Sequence, residues 1–447
     1  MKQKATTWGL FTFPPAPSRK MRSTGQLGLW KTIALASVFC AATAIACPAD
    51  SFKILATFDG TNGANPAYGF LVQGFDGELY GTTYGGGANG YGTVFKITPD
   101  GRLTTLYSFC SHTNCTDGSN PYAGLVQATD GNFYGTTSIG GANNGGTVFK
   151  MTAGGALDTL HSFDGTDGDY PHAGLVQATN GDFYGTTWVG GVGQCQIIGS
   201  CGTVFKITPG GTLTTLQTFD GTDGNFLFSG LMQAANGAFY GTTAEGGVHT
   251  LGTVFKITTA GKLATLHSFC YKMGCPDGGS PLAELVQGTD GNFYGTTGGF
   301  DAGGYGTVFK TTPSGVLTTL HRFDFVEGAN PYAGLVQATD GNFYGTTYLG
   351  GRGGEDNQGT VFRLCVGLRP FVVTNPTSGK VGRKITILGN NLTDATSVRF
   401  DGTPANFKVV RSSEITTIVP TGATTGFVTV TIPSGTLKGN VVFHVKK

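Results

Sequence analysis

Gly124-Leu125-Val126-Gln127-Ala128-Thr129-Asp130-Gly131-Asn132-Phe133-Tyr134-Gly135-Thr136-Thr137, followed after a glycine-rich stretch by Gly146-Thr147-Val148-Phe149-Lys150, decides the fold. Its β-branched and aromatic residues fall into short runs joined by Asp130-Gly131, where glycine accepts the positive φ of a tight hairpin. The unit parses into four strands, over about 124–128, 132–137, 146–152 and 156–163. The same text recurs along the chain. Tyr-Gly-Thr-Thr starts at Tyr80, Tyr134, Tyr184, Tyr240, Tyr294 and Tyr344. Gly-Thr-Val-Phe-Lys/Arg starts at Gly92, Gly146, Gly202, Gly252, Gly306 and Gly359, at spacings of 54, 56, 50, 54 and 53 residues. Four antiparallel strands in each of six such units predict the blades of a β-propeller; a β-solenoid, the alternative, repeats its strands at shorter periods.

The phase of the repeat predicts how the ring closes. Units beginning at Gly69, Gly124, Gly174, Gly230 and Glu284 carry four strands, whereas the unit beginning at Gly334 has three and stops at Cys365. The missing strand stands at the opposite end of the repeats, as Phe52-Lys53-Ile54-Leu55-Ala56-Thr57-Phe58. Pairing it into the last blade closes a six-bladed ring and leaves no free sheet edge. Aligned on the sister units, Cys47 and Cys365 meet at one broken hairpin tip, which predicts a disulfide between them. Lipidation of Cys47 is the competing reading, although Ala44 stands where lipoprotein signals usually carry Leu.

Composition agrees with an all-β chain. Glycine makes up 76 of 447 residues and charged residues only 12%, which excludes helix bundles and coiled coils. A net charge of +1 predicts no general affinity for nucleic acid. Residues 1–46 carry six basic and no acidic residues, and end in Lys31, a short apolar run and Ala44-Ile45-Ala46. This is the pattern of a secretory signal, with Met21 as an alternative start. No later segment resembles a membrane helix. Export permits disulfides, and Cys110 with Cys115, Cys195 with Cys201 and Cys270 with Cys275 are close pairs lacking the CxxC spacing or His partners of a zinc site.

The repeat, Gly-Leu-Val-Gln-Ala-Thr-Asp-Gly-Asn-Phe-Tyr-Gly-Thr-Thr and then Gly-Thr-Val-Phe-Lys, resembles the GloVer tandem repeat of exported bacterial proteins over about 52–365. It is also similar to the propeller blades of two-component regulator sensors. The resemblance implies an exported propeller and brings no catalytic residues with it. After Cys365, residues 366–370 read as a linker. Residues 371–447, with Asn375-Pro376-Thr377-Ser378-Gly379 and Ile385-Thr386-Ile387-Leu388-Gly389 in order, resemble the immunoglobulin-like IPT/TIG domain, which implies a small β-sandwich acting as spacer or adhesion module. The domains expected are therefore a signal peptide over 1–46, a propeller over 47–365 and an Ig-like domain over 371–447.

Hairpin topology puts the long, variable connections, and all three local cysteine pairs, on one face. Variable loops on a rigid scaffold are where binding resides. The residues after Tyr-Gly-Thr-Thr differ between units, and Tyr84, Trp188 and Tyr348 among them offer flat faces for sugar rings. His172, Glu245 and His249 lie in the same loops and complete the candidate binding set. The acidic stretch from Asp164 to Asp169 and its sister at Asp220 and Asp223 allow a calcium reading, but Asx turns account for Asp-Gly repeats equally well; no cofactor is expected. His161, His267 and His321 recur at one strand position and read as structural. The function expected is a non-enzymatic, extracellular or envelope-associated scaffold for glycan or protein. The alternatives are a polysaccharide hydrolase or lyase, with Glu245, Asp301 or Glu355 as its acid, and a purely structural surface protein.

Overall fold

The structure, a computed structural model, describes residues 56–66, 71–76, 78–98, 101–192, 201–299, 304–351 and 359–446. The expected leader, Cys47, residues 52–55, Cys195, Asp301 and Glu355 lie outside the described residues. Ile54–Lys447 form one compact unit. Among the described residues its regular elements are strands, apart from two 3-10 turns at Thr113–Cys115 and Leu392–Asp394.

In the second repeat, Val126–Gln127, Phe133–Thr137, Thr147–Met151 and Leu157–Ser162 form one antiparallel sheet in sequence order. Sister sheets of four strands follow in the first, third, fourth and fifth repeats, and a sheet of three in the sixth. Every residue of Phe133–Thr137 is buried. Both faces of this strand are covered, so its residues read as a continuous apolar and small run in place of the alternation of a half-exposed strand.

Buried threonines need partners, and the repeat supplies them in pairs. The hydroxyls of Thr137 and Thr147 lie 2.8 Å apart across two strands, and the Thr147 amide donates to Thr137 Oγ1. The same pair recurs as Thr83–Thr93, Thr187–Thr203, Thr243–Thr253, Thr297–Thr307 and Thr347–Thr360, each at 2.9 Å. This is why the second Thr of Tyr-Gly-Thr-Thr and the Thr of Gly-Thr-Val-Phe recur together. The Gly of Tyr-Gly-Thr-Thr recurs for steric reasons. A Cβ on Gly135 would lie 2.6 Å from Phe149 Cζ and 3.0 Å from Leu125 Cδ2.

Consecutive sheets are joined by a repeated set of contacts. Tyr134 stacks on Phe183 of the next unit with centroids 4.0 Å apart, and Phe163 meets Phe205 edge-on at 5.2 Å. The Tyr134 hydroxyl donates to Asp130 of its own turn. The amide of Thr129 donates to Gln177 of the following unit at 2.9 Å, and equivalent bonds reach Gln127, Gln233, Gln287 and Gln337. The apolar core thus lies between sheets, as a series of clusters each shared by two neighbours.

The two ends of the array differ from its middle. Val361 in the sixth unit is 78% exposed, whereas Val94, Val148, Val204 and Val254 are 0% exposed, because no described strand covers its edge. Ala56–Phe58 is not in a strand. Phe58 nevertheless meets Phe95 edge-on at 5.0 Å, the relation that Phe109 has to Phe149. Cys365 is an exposed free thiol.

After the repeats, Val366 and Leu368 pack against the apolar cluster of the sixth unit. Two sheets then enclose a single core that includes Ile385, Ile387, Val398, Phe400, Ile415, Val430 and Phe443. One sheet holds Val373–Asn375, Lys384–Leu388, Phe407–Arg411 and Glu414–Ile418; the other holds Ser378–Lys380, Ser397–Phe400, Thr403–Ala405, Gly426–Ile432 and Gly435–Lys446. The segment leading into this domain touches both ends of the array: the Phe371 amide donates to the Thr339 carbonyl, and Asn375 Nδ2 donates to Gln73 Oε1 at 2.9 Å.

Candidate functional site

The long connections are held by short backbone bridges, such as Ser119 with Ile139, Asp169 with Val189 and Asn225 with Glu245. Each bridge is followed by a residue in the left-handed region: Asn65, Asn120, Tyr170, Phe226, Ser280 and Asn330, with φ between 50° and 58°. Asparagine adopts this conformation readily, and an aromatic residue does so only under strain. Tyr170 and Phe226 in the third and fourth units are therefore held where their sisters rest.

Those two residues flank an aromatic cluster. The His172 ring stacks on Tyr122 at 4.6 Å and 19°, and on Trp188 at 5.1 Å and 13°. Phe226 and Phe228 approach Trp188 at 5.5 and 5.7 Å, and Tyr170 meets it at 6.3 Å. Tyr84 joins through Tyr122, edge-on at 6.0 Å. Burial between the rings pushes the His172 pKa down to about 4, so its imidazole is neutral at physiological pH.

Among the described residues, His172 Nδ1 and Trp188 Nε1 of this cluster are buried without protein partners, and so are both side-chain amide atoms of Asn225, the residue before Phe226, which is 0% exposed. Buried polar groups in folded chains are nearly always bonded, so several exceptions in one place mark a site with unused recognition capacity. The strain makes a testable statement. Tyr170→Asn and Phe226→Asn are each expected to destabilise by about 1–3 kcal/mol, less than the about 3–5 kcal/mol that removal of a packed ring usually costs, because relief of about 2 kcal/mol of left-handed strain offsets part of the lost packing. Denaturant midpoints check this, and a loss above about 3 kcal/mol would show that the strain is absent.

Of the residues expected from sequence, the fold brings His172 and Trp188 into contact and links Tyr84 to them. Glu245 is brought alongside by its backbone bridge to Asn225 (2.8 and 3.1 Å), with an exposed side chain whose pKa burial raises. Tyr348 pairs instead with Tyr332 at 5.6 Å. His249 is exposed, and no contact joins it to the cluster among the described residues. The recurring strand residue clamps the loop that follows it: His161 with Asp167 at 2.6 Å, His267 with Asp277 at 2.8 Å, and Tyr107 with Asp117 at 2.8 Å. In the acidic stretches, Asp164 and Asp220 accept hydrogen bonds from Thr166 and Thr222 of their own turns, which hold their carboxyls below the usual range. No group of three metal-ligating side chains occurs among the described residues. Cys110 is bonded to Cys115 and Cys270 to Cys275, and Cys201 is also disulfide-bonded.

Sequence reasoning missed Tyr122, Tyr170, Asn225, Phe226 and Phe228. For Tyr122 and Phe228 a signal was available in the lead-in to each unit, where Tyr122, His172, Phe228, Leu282 and Tyr332 stand at one position. It also missed Glu284, which stands where the sister units have Gly124, Gly174, Gly230 and Gly334. These residues converge on the inner edge of the array. A Cβ on Gly174 would lie 3.5 Å from the Gly124 carbonyl, and one on Gly334 would lie 3.4 Å from that of Glu284. Glu284 Oε2 lies 3.3 Å from the place where a Gly230 Cβ would stand. Solvent reaches the side chain, yet the enclosing protein pushes its carboxyl up to about 7.

The Gloeobacter/Verrucomicrobia repeat matches residues 41–234 and 196–369, a span that contains all six sheets. The chain belongs to this repeat family. Residues 372–445 match the IPT/TIG domain. The repeat region of this family member has the tandem four-stranded sheets of a propeller-like fold, and the IPT/TIG domain is the sandwich that follows. No curated protein matches the sequence. Among solved structures, the chain is similar to a fungal alcohol oxidase of the AA5 family in complex with copper, at 14% identity, 84% coverage of this chain, 85% of that chain and a TM-score of 0.47. It is also similar to a gluconolactonase from Xanthomonas campestris (12% identity, 68% and 88% coverage, TM-score 0.40) and to a periplasmic gluconolactonase from Pseudomonas aeruginosa (18% identity, 68% and 89% coverage, TM-score 0.39). At these identities none of the three lends its chemistry to this repeat protein. Among the described residues no helix is long and apolar enough to cross a membrane.

Proposed function

We propose that this repeat protein is an exported, non-enzymatic scaffold that binds glycan through the aromatic cluster of its long-loop face. The observation that carries the reading is the Tyr122–His172–Trp188 stack, with Phe226 and Phe228 against it and the His172 Nδ1 and Trp188 Nε1 atoms unpartnered within it. Sugar rings present C–H faces to aromatic planes and hydroxyls to imidazole and indole groups, so one ligand class satisfies both features.

In this proposal residues 1–46 are the leader, 47–365 a closed six-bladed ring and 371–447 the Ig-like domain. Three observations support closure. Phe58 sits against Phe95 as a last-strand Phe sits against the next unit. Leu71, Leu79, Phe95 and Ile97 line an apolar cavity of about 330 Å³ on the first unit, at the place where Tyr344 would stack as Tyr80 does on Phe133. Phe371 and Asn375 contact the last and first units, and so short a segment spans at most about 15 Å.

Immobilised polysaccharides presented to the full chain, then re-sized, test the function. Retention without shortening is expected, and Trp188→Ala should weaken it at least about 10-fold while the far-ultraviolet spectrum is unchanged. Shortened polysaccharide would replace this reading with a hydrolase or lyase. Silence across the panel would remove glycan as the ligand.

A further inference from the structure

The repeats and the sandwich that follows them carry opposite charge. Residues 47–365 hold 12 Lys/Arg and 24 Asp/Glu, a net of −12, whereas residues 371–447 hold nine Lys/Arg and three Asp/Glu, a net of +6. Within the sandwich the cations divide into two sets. Arg411 pairs with Glu414 at 2.8 Å, Arg399 Nη1 donates to the Gly402 carbonyl at 2.9 Å, and Lys438 lies 3.8 Å over the Phe427 ring. Lys380, Arg383, Lys384 and Lys446 are exposed, and among the described residues no acidic side chain pairs with any of them. The fold gathers these four at one end. Lys380 is in register with Lys446, and the Arg383 amide donates to the Lys380 carbonyl at 3.1 Å, closing a tight turn that leads directly into Lys384. The acids of the sandwich stand elsewhere. Glu414 opposes Leu388 at the far end of the strand Lys384–Leu388, about 13 Å away, and Asp394 lies in the turn beside Ser412. Asp401 is two strands from Gly435–Lys446 and accepts from Thr424 at 2.7 Å. Apolar side chains are exposed among the four cations: Val381, at the tip of the turn, is 48% exposed, and Ile418, in register with Lys384, is 53% exposed. Like charges gathered without counter-charges favour a polyanion or an anionic surface. The two apolar residues decide between these partners. A dissolved polyanion leaves Val381 and Ile418 in water, whereas a bilayer offers anionic headgroups above an apolar layer and meets both features. The charge of the whole chain sets its orientation, because such a surface attracts the sandwich and repels the repeats.

We infer that the Lys380–Lys384 turn and Lys446 form a docking surface for an anionic phospholipid bilayer, with Val381 and Ile418 entering its interface. The probes are vesicles of phosphatidylcholine alone and of an equal mixture with phosphatidylglycerol, sedimented with the full chain at low salt. The wild type is expected on the mixed vesicles and not on phosphatidylcholine. Lys380→Glu with Lys384→Glu should lower that partition at least about 10-fold, the scale set by reversing two charges near an anionic surface. Arg102→Glu with Lys262→Glu, the same charge change on exposed hairpin turns of the repeats, should lower it less than about 3-fold, because salt screens charges away from the contact. All variants are compared in one chain, so the six basic residues of 1–46 contribute equally to each. Val381→Ser with Ile418→Ser should lower vesicle partition about 5-fold or more, through lost apolar burial, and leave retention on dextran sulfate unchanged. These substitutions alter exposed side chains, and unchanged far-ultraviolet spectra are expected throughout. Absence of the wild type from the mixed vesicles, an equal loss in the two charge-reversed variants, or partition indifferent to the serine substitutions overturns the inference. The last result, together with retention on dextran sulfate that needs Lys380 and Lys384, would assign the surface to a soluble polyanion instead. Trp188→Ala should leave vesicle partition unchanged, so the glycan reading and this one fail separately.

Discussion

Gly135→Ala is expected to destabilise the protein by about 2–3 kcal/mol, at the upper end of what one added methyl costs in a packed interior. The cause is steric and belongs to the interior of the second sheet. A Cβ at this position meets Phe149 Cζ at 2.6 Å and Leu125 Cδ2 at 3.0 Å. The Phe149 ring cannot retreat freely, because Phe109 holds it edge-on at 5.3 Å. Gly131→Ala is the matched control. Gly131 has φ of 86° with nothing within 4 Å of the new methyl, so its cost is backbone strain alone, about 1 kcal/mol. Denaturant midpoints of the two variants separate the effects. A smaller loss at Gly135 than at Gly131 would mean that Leu125, Gly135 and Phe149 are not packed as described.

Acidification is expected to cost the wild type up to about 3 kcal/mol through His172 alone. The unfolded chain binds a proton at this residue near pH 6.5, whereas the folded chain, its imidazole buried between Tyr122 and Trp188, does so only near pH 4. The folded pKa is depressed, so the contribution is fully present above about pH 6.5 and is lost as pH falls toward about 4. Nearby carboxyls act in the opposite sense: burial raises Asp169, and pushes Asp223 up to about 6, so each favours the folded state as pH falls. The measurement is therefore a difference. Urea midpoints between pH 7 and pH 4 are compared for the wild type and His172→Phe, which keeps an aromatic ring in the stack and removes the titrating group. The wild type should lose more over this window, and parallel curves would show that the imidazole is not enclosed.

The residues of one repeat sheet were legible because their reasons are local. The hydroxyl pair of Thr137 and Thr147, the Asp130-Gly131 turn and the Gly135–Phe149 contact all arise between adjacent strands of one unit. Trp188 and Tyr84 were legible as departures from a repeated text. Tyr348 and His249 were equally visible departures, but the fold takes Tyr348 to Tyr332 and leaves His249 without a contact to the cluster. Tyr170, Phe226 and Asn225 gave no such signal, since what distinguishes them is a left-handed φ or an unmet hydrogen bond.

Strand order, hairpin partners and the buried threonine pairs follow from text spanning one unit of roughly fifty residues, because pairing and turn formation act over that range. The burial of His172 and the strain at Phe226 required the assembled units. Desolvation and ring stacking depend on groups such as Tyr122, Trp188 and Phe228 that are distant in the chain and meet only when neighbouring sheets pack.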